Sequence, residues 1–257
     1  MTSTFGFGNY DALSAKVEKR YSHGLQFVSA YTWSHAFANS NTPLSGSTGF
    51  APKTITDYGT GYSSAAWDIR HNFTTGFSWQ APVGRGQRFG GSMNRFADAI
   101  VGNWMLNGVL SLRTGVPYTI RYNGCQGVWN ACTGDLVNGA DPNAAPAGGR
   151  TPTQYFNIAN FTAPAALTGG NLGLQSQTGP PTRTLDASIF KTFPITERFR
   201  VQFRAEAFNV ANTPQFNIPD SSLQNSALLG GNGNFGKITS TQAASERHYQ
   251  FSLKLLF

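Results

Sequence analysis

A chain of 257 residues is long enough for one large β domain or two ordinary ones. Only 12 % of it is charged, whereas glycine (29) and phenylalanine (20) are abundant, and no apolar run approaches the ~18 residues a spanning helix needs, which excludes a helical membrane protein. The net charge of +7 is spread over single Lys and Arg residues with no basic cluster, which argues against a nucleic-acid partner.

The first ten residues, MTSTFGFGNY, lack a basic stretch followed by an apolar core, so an exported form would take its signal from upstream. Residues 11–20 alternate: Leu13, Ala15 and Val17 on one parity, Ser14, Lys16, Glu18 and Arg20 on the other. A period of two marks a strand with different media on its two faces. After the turn Tyr21-Ser22-His23-Gly24, residues 25–34 set Leu25, Phe27, Tyr31 and Trp33 against Gln26, Thr32 and Ser34, completing a hairpin. A third strand is expected over 67–81, with Trp67, Ile69, Phe73, Phe77 and Trp79 opposed by Asp68, Arg70, Asn72, Thr74, Ser78 and Gln80. The connection 82–103 holds a short amphipathic helix at 92–101, with Met93, Phe96, Ala97 and Ile100 on one side. Strands follow at 104–120, 184–193, 199–208 and 247–257. The last reads RHYQFSLKLLF, with Tyr249, Phe251, Leu253, Leu255 and Phe257 on a single parity. A further short strand over 235–241 would pair with its start.

Between these seven strands the connections alternate short and long, with 82–103 the longest of the short set. Outer-membrane barrels sort their loops by end in this way, with short periplasmic turns and long outside loops. Trp33 and Trp67 fall at one end of the strands, and Trp79 and Trp104 at the other, as two interfacial aromatic belts require. The expected fold is therefore all-β: about seven antiparallel strands forming the C-terminal part of a transmembrane outer-membrane β-barrel with long extracellular loops. Outer-membrane lipid is the first partner, and the C-terminus is periplasmic in a Gram-negative-type bacterium. Bacterial barrels of one chain have even strand numbers, so seven strands imply others on the N-terminal side.

The polar parity places Lys16, Glu18, Asp68, Arg70, Arg113, Asp186, Arg200, Arg204, Glu206 and Lys254 on a lumen wall. They line a solute path or meet a plug; the simpler reading is a ladder of opposite charges paired across strands. Cys125 and Cys132 share the longest loop, and an oxidising compartment makes them a disulfide. No metal set emerges from His23, His35, His71 and His248, and neither a nucleophile motif nor a carboxylate pair indicates an enzyme or a cofactor. Loop aromatics Phe50, Tyr58, Tyr62, Trp129, Tyr155, Phe156, Phe161, Phe216 and Phe235 either bind a sugar or peptide or pack the loops together.

The ordered blocks YDALSAKVEKRYSHGLQFVSAYTWSHAF, WDIRHNFTTGFSWQAPVG, NWMLNGVLSLRTGVPYTI, LDASIFKTFPITERFRVQFRAEAFNVANTPQFN and YQFSLKLLF resemble the C-terminal barrel region of Oar-like TonB-dependent receptors. That resemblance implies a barrel of about 22 strands around a plug, with substrate uptake driven by the TonB complex acting on the plug. The plug, its energy-coupling box and the early strands have no counterpart within residues 1–257, so the piece alone is not expected to transport. The same resemblance makes the terminal strand ending in Phe257 a signal for the outer-membrane assembly machinery. Two alternatives belong to other classes: a diffusion porin, and a soluble β-sandwich adhesin or carbohydrate-binding module.

Overall fold

The computed structural model describes residues 6–39, 54, 58–125 and 132–257. Seven strands carry the fold: β1 (Gly8–Ser22), β2 (Leu25–Ala38), β3 (His71–Gln80), β4 (Trp104–Arg113), β5 (Thr182–Pro194), β6 (Arg200–Phe208) and β7 (His248–Leu256). They form one antiparallel sheet in chain order, with the two-residue strand Ser63–Ser64 added on β2. β1 and β7 end the path as its two edges. The β1–β2 turn is tight because His23 (φ 52°) and Gly24 (φ 77°) both take left-handed backbone, the geometry that matches the twist of a two-residue hairpin.

The register decides which faces meet. One rung runs Leu25, Trp79, Leu106, Ile189, Ala205, Phe251 across β2 to β7. The next runs Gln26, Ser78, Asn107, Ser188, Glu206, Gln250. The apolar parity of every strand is thus aligned with that of its neighbour; a slip of one residue anywhere would turn one strand inside out. On the apolar face Phe77 lies over Gly108, where an added Cβ would stand 2.6 Å from the ring.

That apolar face carries no protein core. Leu13, Val17, Tyr31, Trp33, Trp79, Ile189, Tyr249, Phe251, Leu253 and Leu255 are exposed. Among the described residues, the larger buried cluster consists of Tyr118, Ile120, Tyr155, Phe156, Phe161, Leu172, Leu223 and Phe235, all from the long connections. Those connections, which lack periodicity, fold into a cap. Arg121 and Leu223, Pro152 and Ile238, and Tyr155 and Gly236 are joined by backbone hydrogen bonds between two different loops.

Several boundaries differ from the sequence expectation. β3 starts at His71, not at residue 67, because the chain before it turns, with Asp68 N–H donating to Ala65 O at 2.9 Å, and the Asp68 side chain rather than a backbone carbonyl takes the Ala36 N–H. β4 stops at Arg113, not at residue 120. Apolar alternation continues through Val116, Tyr118 and Ile120, but Pro117 has no N–H for a ladder, and Tyr118 and Ile120 turn into the cap. β1 and β2 extend beyond expectation, pairing Gly8 with Ala38. No strand forms over 235–241: Gly236 bonds Tyr155 and Asp220, and Thr241 bridges to Phe216. The expected helix is shorter, α1 (Arg95–Val101), capped by Asn94, whose Oδ1 accepts from Ala97 N–H at 2.8 Å.

Candidate functional site

Among the described residues, two concave regions bring charged and polar side chains together. The first is the polar face of the sheet. Side chains as far apart as Glu18 on β1 and Glu206 on β6 border one cavity of about 670 Å³, so the sheet curls around it. Its wall mixes acids (Glu18, Asp186, Glu206) with amides and hydroxyls (Gln26, Ser78, Asn107, Ser188) and an apolar strip of Val28, Val109 and Phe208. The second is a cavity of about 610 Å³ at the long-loop end, bordered by Ser64, Asp68, Arg70, Thr114, Asn143 and Gln175.

The charged residues expected on the lumen wall separate into two groups. Lys16, Glu18, Arg113, Asp186, Arg200, Arg204, Glu206 and Lys254 lie on the polar register of their strands. Asp68 does not: it precedes β3, is buried, and belongs to the loop end. One carboxylate oxygen accepts from Ala36 N–H at 2.8 Å; the other lies 3.5 Å from Arg70 and 3.8 Å from His35 Nε2. Arg70, drawn into this cluster, also sits before the strand. Both belong to the mouth, not the wall.

The charge ladder across strands is corrected as well. Among the described residues the wall's one ion pair is Lys16 with Glu18, 2.9 Å apart on the same strand. Arg204 instead donates from Nε to Gln202 Oε1 at 2.7 Å and lies 4.6 Å over the Phe190 ring. Asp186 Oδ1 accepts from Asn209 N–H at 2.8 Å and fastens the chain leaving β6. Register explains this: Arg204 faces Phe190 and Ser252, and Glu206 faces Ser188 and Gln250, so no opposite charge stands across from either.

At the mouth, Asn143 knits the cavity rim by donating to Ser176 O and accepting from Thr178 N–H. Arg150 donates to Asn143 O and covers the Tyr155 ring at 4.7 Å. Among the loop aromatics, Tyr155, Phe156, Phe161 and Phe235 are buried in the cap, where the three phenylalanines meet edge to face with centroids 5.0–5.9 Å apart. Packing, not ligand capture, is their role. Tyr62 stacks between Phe7 and Phe37, while Phe50 and Trp129 lie outside the described residues. Burial pushes the Tyr118 phenol far above its ordinary value and raises Tyr155 too, Arg150 opposing the second shift.

Cys125 and Cys132 are joined by a disulfide, with Cα atoms 6.2 Å apart. Tyr249, Phe251, Leu253, Leu255 and Phe257 stand exposed along the β7 edge. His23, His35, His71 and His248 stay dispersed, and no three metal-ligating side chains converge among the described residues. Sequence reasoning overlooked Lys191. It occupies the apolar register of β5 opposite Trp104, is 1 % exposed, and donates to the carbonyls of Asp98 and Gly102. Its signal was a lone lysine breaking an apolar parity, facing a connection long enough to hold a helix.

A family model described as an outer membrane beta barrel domain matches residues 1–250. Neither a curated protein nor a solved structure matches the chain.

Proposed function

We propose a function from one premise: the chain belongs to the outer membrane beta barrel domain family. On that premise it is an all-β outer-membrane protein. Within the family we assign it to the wall, outer loops and terminal strand of an Oar-like TonB-dependent transporter that takes up a solute. The long loops would face outside, the short turns and the C-terminus the periplasm. β1 and β7, the unpaired sheet edges, would close the barrel with strands contributed from the N-terminal side. The Tyr249-to-Phe257 face would be read by the assembly machinery, and a plug coupled to the TonB complex would fill the curl bordered by Glu18, Asp186 and Glu206.

The observation that supports the barrel is the continuous register of an exposed apolar face against a polar, concave one; the receptor assignment within the family rests on the resemblance of the ordered sequence blocks. A soluble sandwich buries its apolar face against a second sheet; here the buried hydrophobic cluster lies in the loops instead. Single cysteines at successive positions 72–78 of β3, treated with a charged thiol reagent after insertion into vesicles, should react at even positions and resist at odd ones. Uniform reactivity would overturn the barrel reading. Planar-bilayer conductance of the barrel joined to its upstream region separates receptor from porin. A plugged receptor stays closed until the plug is removed, whereas a steadily open channel would assign the porin.

A further inference from the structure

The connection between β3 and β4 is the longest of the short-turn set, and it does not hang below the sheet. Two side chains of the apolar register reach up to it. Trp104 donates its indole N–H to Ile100 O at 2.9 Å, and Lys191 donates to Asp98 O at 3.4 Å and to Gly102 O. Both residues point to the same side of the sheet as Leu106 and Ile189. The C-terminal carbonyls of α1 are therefore held against the outer, apolar face. A helix of seven residues is too short to persist unaided, so these bonds, with the Asn94 cap, fix it in place.

Fixed there, α1 turns its apolar stripe away from the protein: Phe96 is 85 % exposed and Ile100 71 %, one helical turn apart, and Phe89 and Val101 are exposed beside them. Arg95 adjoins Phe96 in the helix, the Arg88 guanidinium lies 5.5 Å over the exposed Phe89 ring, and Arg85 belongs to the same connection; all three are exposed and none is in an ion pair among the described residues. The one acid of the segment, Asp98, is turned inward, where its Oδ1 accepts from Arg85 N–H at 2.7 Å. The whole patch continues the exposed apolar face at the level of Trp79 and Trp104, the lower aromatic belt.

We infer that residues 82–103 form a membrane-interface foot, with Phe96 and Ile100 inserted among the acyl chains of the periplasmic leaflet and Arg85, Arg88 and Arg95 holding anionic phospholipid headgroups. The inference rests on the barrel reading, since it needs the sheet's apolar face to be in lipid. Lipid is the occupant because the stripe is continuous with that face and because unpaired guanidiniums beside exposed rings match an anionic interface. The foot also accounts for the length of this turn.

The test uses the full chain in vesicles of phosphatidylcholine mixed with phosphatidylglycerol, with an environment-sensitive fluorophore on Phe96→Cys or, separately, on Leu110→Cys in the middle of β4. Phe96 is too exposed for its replacement to disturb packing. Nitroxide-bearing lipids should quench both labels, position 96 most strongly when the nitroxide lies near the headgroup. Nitroxide phosphatidylglycerol should quench position 96 better than nitroxide phosphatidylcholine, by about fivefold in local enrichment for each arginine in contact. Changing Arg85, Arg88 and Arg95 together to Gln should abolish that preference. Quenching at 110 but not at 96 would overturn the foot and leave the barrel standing. Quenching at neither would overturn the barrel reading and the foot with it.

Discussion

Leu110→Arg is the sharpest perturbation of the sheet. Leu110 stands on the apolar register between Thr75 and Leu185. It lies six positions beyond Trp104, the first residue of β4, hence about 20 Å along the strand. At a strand tilt of about 40° that becomes about 15 Å along the bilayer normal, which places Leu110 near the middle of a hydrocarbon layer whose lower edge is marked by Trp104. An arginine at that depth on the lipid face costs about 2–4 kcal/mol, a shift of roughly 30- to 900-fold in the folding equilibrium at about 1.36 kcal/mol per decade. The control is its neighbour Ser111→Arg, opposite Thr74 and Thr184 on the polar face, where the same charge meets water and its cost should stay within about 0.5 kcal/mol. The assay is reversible urea unfolding from vesicles followed by tryptophan fluorescence. Equal costs at the two positions, or a larger cost at 111, would refute the assignment of faces.

Four further outcomes follow from individual contacts. Gly108→Val drives a side chain into the Phe77 ring and should destabilise the sheet by about 1–3 kcal/mol, read as a lower urea midpoint. Lys191→Met removes the cation from the carbonyls of Asp98 and Gly102, at about 1.5–3 kcal/mol for charge-assisted bonds; amide exchange should accelerate across α1 and leave β2 unchanged. Reducing the Cys125–Cys132 bond, which spans a sequence separation of 7, should loosen the cap by about 2–3 kcal/mol, visible as new proteolytic cuts in the loops while β1–β7 stay protected. Tyr118 and Tyr155 are held neutral by burial, with folded-state values above the ordinary 10.0. Their contribution to the cap is therefore complete below that value and is lost as pH rises through it toward the folded-state values. Tyrosinate absorbance should show these two ionising last, together with exposure of the loop core.

What the sequence disclosed was whatever repeats with period two. The parity of Phe73 and Phe77, of Val201 and Phe203, and of Tyr249 to Leu255 is a local property, and pairing each strand with the next in register preserves it. Strand ends were legible only where a turn residue enforced them, as at His23-Gly24. Where alternation ran on by coincidence, as through Trp67-Asp68 and Val116 to Ile120, the ends were set by competition for backbone hydrogen bonds and by Pro117, which periodicity does not register. Eight of the ten expected lumen charges lie on the polar register of their strands, and Asp68 and Arg70 precede β3; the partners were not legible, because a partner depends on which residue the neighbouring strand sets opposite. Arg204 meets Phe190 and Gln202 for that reason, not Glu206.

The loop cap was illegible for a deeper reason, which also shapes how the molecule is held together. A barrel strand needs no protein core, since lipid takes up its apolar side, so the sheet can leave Phe251 and Leu253 exposed and still be stable in its own medium. The loops stand in water and have no such solvent. They must build an interior of their own, and they do so from residues scattered over 118–235, with Tyr118, Phe156, Leu223 and Phe235 drawn from three separate stretches. Contacts of that sequence separation leave no periodic trace. The expected consequence is two stabilities in one chain: detergent or lipid composition should govern the sheet, whereas reductant and alkaline pH should govern the cap. Because the Asp68 cluster ties β2 to the residue run leading into β3 at their junction, Asp68→Ala, which removes the acceptor of the Ala36 N–H as well as the charge, should be the point at which the two cease to be independent. It should weaken the cap and fray the upper end of β2 together, measured as coincident loss of amide protection at Ala36 and at the cavity rim around Gln175. Loss at only one of these sites would mean that cap and barrel are joined elsewhere.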